Sequence, residues 1–253
     1  MARQKVSAAI VAMNEERKIG DCLKSLAWAD ETVVVDSHSA DQTRAVAAAA
    51  GARVIERDWP GHIKQKNFAL ESCVNGWVIS LDADERVSAA LRAEIAREME
   101  NPRADGYAMP RKVFYINRWM RHCGWYPAPK VRLVKKDRAR WGGTDPHDTL
   151  MVDGPVLMLR GDLYHLSFDT IHAHLRTIDH FTRVGAQEAF KRGKRAGFMD
   201  LTLRPCFTFF KMYLLKAGFL DGVAGLIACV FSAFHTFSKY DRLRALARTL
   251  PPG

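Results

Sequence analysis

Two aspartates spaced one residue apart, Asp82 and Asp84, follow an apolar run in the stretch WVISLDADERV at residues 77–87. In an extended segment residues i and i+2 project to the same side, so both carboxylates are placed to face one ligand. Carboxylates repel a phosphate-bearing ligand unless a divalent cation lies between them, and magnesium or manganese takes such oxygen ligands. The spacing therefore predicts a metal-bridged diphosphate, with Asp82 and Asp84 as metal ligands; the intervening Ala83 is counted with the donor-binding stretch.

The elements that must position this pair recur along the first hundred residues. Residues 6–13 are an apolar run that ends in the polar NEERK, followed by a helical pattern with Ile19, Leu23 and Leu26 at turn spacing. ETVVVDSHSAD repeats the unit, with a strand ending at Asp36 and an alanine-rich helix over residues 41–50 capped by Ser39 or Asp41. ARVIE supplies a third strand, WPG breaks the chain before a helix, and WVISLDADE is the fourth strand. Near-continuous apolar strands alternating with helices predict an α/β fold with a parallel sheet covered on both faces. Such sheets bind ligands beyond the carboxyl ends of their strands, where Asn14, Glu15, Asp36, Asp82 and Asp84 gather.

Composition bounds the alternatives. A chain of 253 residues, 48% hydrophobic, is long enough to bury a substantial core. Its net charge of +10 predicts an anionic partner: nucleotide phosphates, nucleic acid or an acidic membrane surface. The five cysteines are scattered and form no CxxC pair, which argues against both a disulfide framework and a zinc site and suits a reducing cytoplasm. The N-terminal residues read as a first strand rather than a secretory signal, so no export is expected.

Taken in order, VAMNEERKIGDCLKSL, VVVDSHSADQT, KQKNFAL and SLDADE resemble the family 2 glycosyltransferases. Further on, GWYPAPKVRLVKK, DPHDTL and FFKMYLLKAGFLDGVAG resemble the branch that includes the lipopolysaccharide-core β-1,4-glucosyltransferases. The resemblance implies a GT-A fold: a Rossmann-like, mostly parallel sheet in residues 1–165, followed by a helical extension over 166–253. It further implies a UDP-sugar donor, a magnesium or manganese ion, and inverting transfer of a hexose, with glucose the expected sugar. The implied acceptor is a lipopolysaccharide-core or other lipid-linked glycan. By the same resemblance Ala12, Asn14 and Glu15 contact uracil and ribose, Asp36 the base and Lys66 the nucleoside pocket. Asp82 contacts ribose or metal, and Asp84 holds the metal. Asp-x-Asp after a strand also marks haloacid-dehalogenase phosphatases, but there it ends the first strand and a Thr or Val stands where this chain has Arg86. A nucleotidyltransferase of related fold is the nearest enzymatic rival, yet AMNEERKIG lacks the expected glycine-rich basic loop. A non-catalytic membrane or nucleic-acid binding protein explains the charge and leaves the strand-end carboxylates without purpose; no nucleic-acid partner is expected.

Inverting transfer needs a base on the face opposite the leaving group, apart from the metal. The family usually has His-Glu where this chain has His147 and Asp148, which points to Asp148 as base, with Asp145 its local competitor. Arg132 alternates out of the apolar strand KVRLV and suits a departing diphosphate, because a guanidinium pairs with phosphate in a bidentate fork. Among the aromatics Trp119, Trp125, Tyr126 and Trp141, the pair Trp125 and Tyr126 is the candidate for stacking on sugar. His165 is a candidate further metal ligand, while His172 and His174 are expected to serve packing or surface roles.

Beyond Asp169 the chain turns helical. Its longest uncharged run, residues 222–238, has 17 residues, short of the roughly 20 that a spanning helix wants. Lys191, Arg192, Lys194, Arg195, Arg204, Lys211, Lys216, Lys239, Arg242 and Arg244 flank it. Apolar helices with basic residues between them predict a peripheral association with the anionic inner face of the cytoplasmic membrane. A packing domain or an oligomer interface is the alternative.

Overall fold

Strand β1 (Val6–Ala12) has alternate residues in two apolar clusters, as a strand covered on both faces must. In a computed structural model that describes residues 3–144, 147–168 and 170–248, it lies in the interior of a seven-stranded sheet. To one side of it run β2 (Glu31–Asp36) and β3 (Arg53–Glu56), and to the other β4 (Trp77–Asp82), all parallel. The chain reverses its winding between β1 and β4, so the ends of those two strands flank a topological switch point.

Past β4 the order continues through β9 (Lys130–Lys135), β6 (Gly106–Met109) and β12 (Val156–Met158). β9 is antiparallel to both of its neighbours, the one reversed strand in the sheet. The apolar Val131, Leu133 and Val134 made it legible as a strand, but its direction is not written in its composition.

Helices α1 (Ile19–Ser25), α2 (Thr43–Ala49) and α3 (His62–Ser72) connect the parallel strands as the alternation predicts. α2 starts two residues later than expected. Asp41 stands just outside the helix and accepts the Thr43 N–H, while Ser39 turns back to Asp36. Gly61 before α3 has φ +107°, a backbone conformation that only glycine adopts freely. The fourth strand ends earlier than expected: β4 stops at Asp82, Ala83 and Asp84 form a turn, and β5 (Glu85–Val87) begins after it. α4 (Ala89–Glu98) follows, capped by Ser88, whose hydroxyl accepts the Leu91 N–H at 3.1 Å.

The chain divides into two compact units, residues Met1–Arg111 with Ala128–His165, and Lys112–Pro127 with Leu166–Gly253. These units differ from the expected division into 1–165 and 166–253 in where residues 112–127 fall. Residues 112–127 belong with the helical unit because Tyr115, Met120 and Cys123 are buried in one cluster with Ala224, Ala228 and Cys229. The first unit also holds the hairpin of β10 (Ala139–Thr144) and β11 (His147–Val152). There too, residues 163–165 of β13 (Leu163–Phe168) pair with β5.

In the second unit, residues 114–115 of β7 (Arg111–Tyr115) pair with β8 (Arg118–Trp119). Its helices are α5 (Ile171–Lys191), α6 (Phe198–Leu201), α7 (Leu203–Phe210) and α8 (Gly222–Arg248). A π-helical turn (Lys211–Leu215) continues α7, and a 3-10 turn (Gly218–Asp221) leads into α8. Asp221 is fully buried and accepts the backbone N–H groups of Arg121 and His122, which ties residues 112–127 to the start of α8.

Candidate active site

The buried ends of β4 and β9 bring opposite charges together. Arg132 on β9 is 4% exposed, and its Nη2 donates to Asp82 Oδ2 at 2.9 Å and to Glu85 Oε1 at 2.8 Å. Glu85, fully buried, also accepts the Asp82 N–H through Oε2, and Arg111 Nη1 lies 3.9 Å from its Oε1. A buried carboxylate without such partners would carry a large desolvation cost. Burial acts to raise the pKa of Asp82, but the charges of Lys66 and Arg132 prevail and hold it well below the usual carboxylate range. For Arg132 burial works against the charged form, and Glu85 and Asp82 raise its pKa further above its normal value.

From the α3 side comes Lys66, 6% exposed. Its Nζ lies 2.8 Å from Asp82 Oδ1 and 2.8 Å from Asp148 Oδ2, so one ammonium group bridges the end of β4 and the β10–β11 hairpin. Trp141 on that hairpin supports both cations, with Lys66 Nζ 4.4 Å and the Arg132 guanidinium 5.4 Å from its ring centroid. α3 and the hairpin are fixed to each other by Asn67, whose side chain donates to the Trp141 carbonyl and accepts the Trp141 N–H. Asp148, opposite Gly143 in the hairpin, is thereby placed at the carboxyl end of the sheet. Asp145 and the side chain of His147 lie outside the described residues.

Asp84 goes elsewhere. Because it sits in the turn after β4, it does not share Asp82's partners; its Oδ2 lies 3.2 Å from His165 Nε2 on β13. Among the described residues no group of three or more His, Cys, Asp or Glu side chains forms a metal cage. The Asp84–His165 pair nevertheless fits a divalent ion: carboxylate oxygen and imidazole nitrogen converge within hydrogen-bond distance while remaining partly exposed at 21% and 15%. Asp84 and His165 would hold manganese or magnesium there, and the ion would supply charge to neutralise phosphate oxygens. Both oxygens of Asp82 are taken by Lys66 and Arg132, so it differs from its expected place beside Asp84 as a free ligand.

The rim that the nucleoside is expected to occupy is stitched together by side chains. Asn14 adopts φ +56°; its N–H donates to Ser39 Oγ, and its Oδ1 accepts the Ala40 N–H. The Glu15 N–H donates to Thr43 Oγ1 at 2.7 Å. Asp36 is fully buried, accepting the Ser39 N–H on Oδ2 at 2.8 Å and the Ser39 hydroxyl on Oδ1. Ala12 and Ala83 are buried in the apolar core, leaving their backbones as the groups able to meet a ligand.

Several expected roles look different in place. Lys66 and Arg132, expected against nucleoside and diphosphate, are committed to carboxylates. Trp125 is in the second unit, its ring 5.0 Å from that of Tyr115, and Tyr126 lies 6.0 Å from Lys112 Nζ. Two residues carried no assigned role in the sequence: Glu85, whose signal was a third carboxylate directly after the aspartate pair, and Gln65, fully buried with Nε2 donating to Ser37 Oγ.

The sequence profile of Glycosyl transferase family 2 matches residues 7–160, the stretch that contains every residue of this site except His165. An uncharacterised glycosyltransferase of Rickettsia conorii is 31% identical over 254 residues, covering 95% of this chain and 90% of the relative. The lipopolysaccharide core biosynthesis glycosyltransferase LpsC of Rhizobium meliloti is 29% identical over 241 residues, covering 92% and 89%. Among solved structures, S. aureus TarS 1-349 shares the fold with a TM-score of 0.50 at 15% identity, over 96% of this chain and 91% of that one. Matched by the profile over more than half its length, and by relatives over nearly all of it, the chain belongs to glycosyl transferase family 2 and is a glycosyltransferase of GT-A fold.

Proposed function

We propose that this enzyme is an inverting, metal-dependent transferase that moves a hexose, with glucose the expected sugar, from a UDP-sugar to a lipopolysaccharide-core or other lipid-linked glycan. Its place of action is the inner face of the cytoplasmic membrane. The observation that carries this reading is Lys66, whose ammonium group joins Asp82, at the end of the strand that leads into the Asp-x-Asp turn, to Asp148 on a separate hairpin. Inversion needs a base that approaches the anomeric carbon from the side opposite the leaving diphosphate. A carboxylate on another element, held at a fixed distance from the donor end of the sheet, answers that need.

Lys66 occupies Asp148 Oδ2, so Oδ1 is the oxygen that receives the proton of the acceptor hydroxyl. Asp84 and His165 would hold the ion, which when bound neutralises charge on the departing diphosphate. Arg132 acts as a positioning residue that orients Asp82 toward the donor. The loops stitched by Asn14, Ser39 and Thr43 give the nucleoside a rigid rim, with Asp36 beneath it. The likeness to LpsC favours a lipopolysaccharide-core acceptor. The nucleotidyltransferase and non-catalytic alternatives fall away with the family assignment.

The test is a panel of UDP- and GDP-sugars with manganese or magnesium and a truncated lipopolysaccharide core as acceptor. Expected is transfer from a UDP-hexose that stops on chelation and yields the β-anomer from an α-linked donor. Transfer with retained configuration, or full activity in chelator, would overturn the mechanism.

A further inference from the structure

α8 is apolar around most of its circumference over residues 222–238, and a helix of that kind in water is enclosed on all sides. On its inner side it is enclosed: Ala224, Gly225, Ala228 and Cys229 are buried. These small residues allow such close packing that a Cβ on Gly225 would lie 2.0 Å from the Gly218 carbonyl oxygen. On its outer side Val223, Leu226, Val230, Phe234 and Phe237 are each at least 40% exposed and recur at intervals of three and four, forming one stripe. α7 and the π-helical turn repeat the pattern with Leu203, Phe207, Phe210 and Leu214, each more than 50% exposed. At the bend between the helices, Leu215, Phe219 and Leu220 are exposed as well. Exposed apolar surface on this scale marks an interaction site.

We infer that the α7–α8 hairpin docks in the plane of an anionic lipid leaflet, with its apolar stripes in the upper acyl region and its basic side chains among the headgroups. Charge selects this occupant over a second copy of the chain. Residues 191–216 contain seven lysines and arginines against one acid, Asp200, which is already paired with Arg204. A two-fold contact would set that basic surface against itself, whereas anionic headgroups neutralise it.

Length and packing argue against a crossing, although the stretch Gly218–Arg248 is long and apolar enough for one by composition. The uncharged run of 17 residues rises about 26 Å as a helix, short of the roughly 30 Å hydrocarbon core. α8 also packs along α5, whose Arg183 and Asp179 pair on an exposed surface, so lipid cannot surround α8. The inference rests on the proposed lipid-linked acceptor only for its purpose; the docking itself is measured without any sugar.

The experiment is flotation of the purified full chain with vesicles of phosphatidylcholine, with and without phosphatidylglycerol, at low and high salt. Expected is binding to the anionic vesicles that weakens with salt. Lys211→Ala with Lys216→Ala should reduce it about 30-fold, the factor for two basic groups near such a surface. Phe207→Asp with Phe210→Asp should abolish it, while Val74→Asp, an equally exposed site in the first unit, should not. Unchanged thermal unfolding of the variants and unchanged calorimetric UDP binding separate loss of docking from loss of the donor site. Resistance to alkaline extraction would overturn the in-plane assignment in favour of a span. Absence of vesicle binding, with or without a dimer that the phenylalanine variants split, would overturn it in favour of an ordinary protein surface.

Discussion

His165 Nε2 lies 3.2 Å from Asp84 Oδ2, joining β13 to the turn after β4 across 81 residues of sequence. Only one of the two groups is a carboxylate, which predicts an asymmetric response to substitution. Asp84→Asn retains shape but carries no charge to hold a cation, so metal-dependent UDP binding should weaken sharply and most activity should vanish. His165→Ala should reduce manganese affinity while leaving metal-free UDP binding unchanged. Calorimetry with UDP at varied manganese reads both; wild-type donor affinity and turnover in Asp84→Asn would rule out the metal assignment.

Asp148 makes a different prediction because its partner is Lys66 and not the Asp84–His165 pair. Asp148→Asn should lower turnover by about 10²-fold or more, the usual scale for loss of a general base, with donor affinity nearly intact. Equal losses in binding and turnover would make the residue structural. A turnover-only defect in Asp145→Asn, with Asp148→Asn active, would transfer the role to Asp145.

Glu85 should matter for folding before it matters for chemistry. It is fully buried against Arg132, so Glu85→Gln leaves a buried guanidinium short of one counter-charge. Removing one partner of a buried pair costs about 3–5 kcal/mol. Urea unfolding should register a loss of that order, and combining Glu85→Leu with Arg132→Met should recover much of it. Additive losses in the double variant would mean that the two residues stabilise the fold independently.

The parallel half of the sheet was legible because β1, β2 and β4 are continuous apolar runs that end in Ala12–Asn14, Asp36 and Asp82. The orientation of Asp84 was not. Alternation rules assume that the strand continues, whereas the chain turns at Ala83, and only the tertiary partners of Asp82 and Asp84 reveal the divergence. Arg132 was legible as a charge on an apolar strand, but a guanidinium satisfied by Asp82 and Glu85 looks in sequence just like one waiting for phosphate. Residues 112–127 escaped for a related reason: Met120 and Cys123 are buried by α8 residues about a hundred positions away, and no local pattern encodes that distance.

In the second unit, Tyr115 Oη lies 2.7 Å from His174 Nδ1, and the His174 ring stacks on Phe168 with centroids 4.4 Å apart. This makes the expected packing role of His174 specific, a buried ring sharing one hydrogen bond with a phenol. Burial pushes the Tyr115 hydroxyl up to about 12, which keeps it protonated. Burial, and then the charge of His235 on α8, pushes His174 down to about 4 from an ordinary 6.5. The sign follows from linkage: between those values the unfolded chain binds the proton and the folded chain does not, so stability rises with pH. The contribution should be fully present above about pH 6.5 and lost as pH falls toward 4, up to about 3 kcal/mol in all. Urea unfolding of the full chain at several pH values between those limits, followed by tryptophan fluorescence, measures the slope. In His174→Gln, whose amide oxygen can still accept from Tyr115 but does not titrate, the slope should flatten. An identical slope in wild type and variant would mean that the acid sensitivity of this unit comes from other groups.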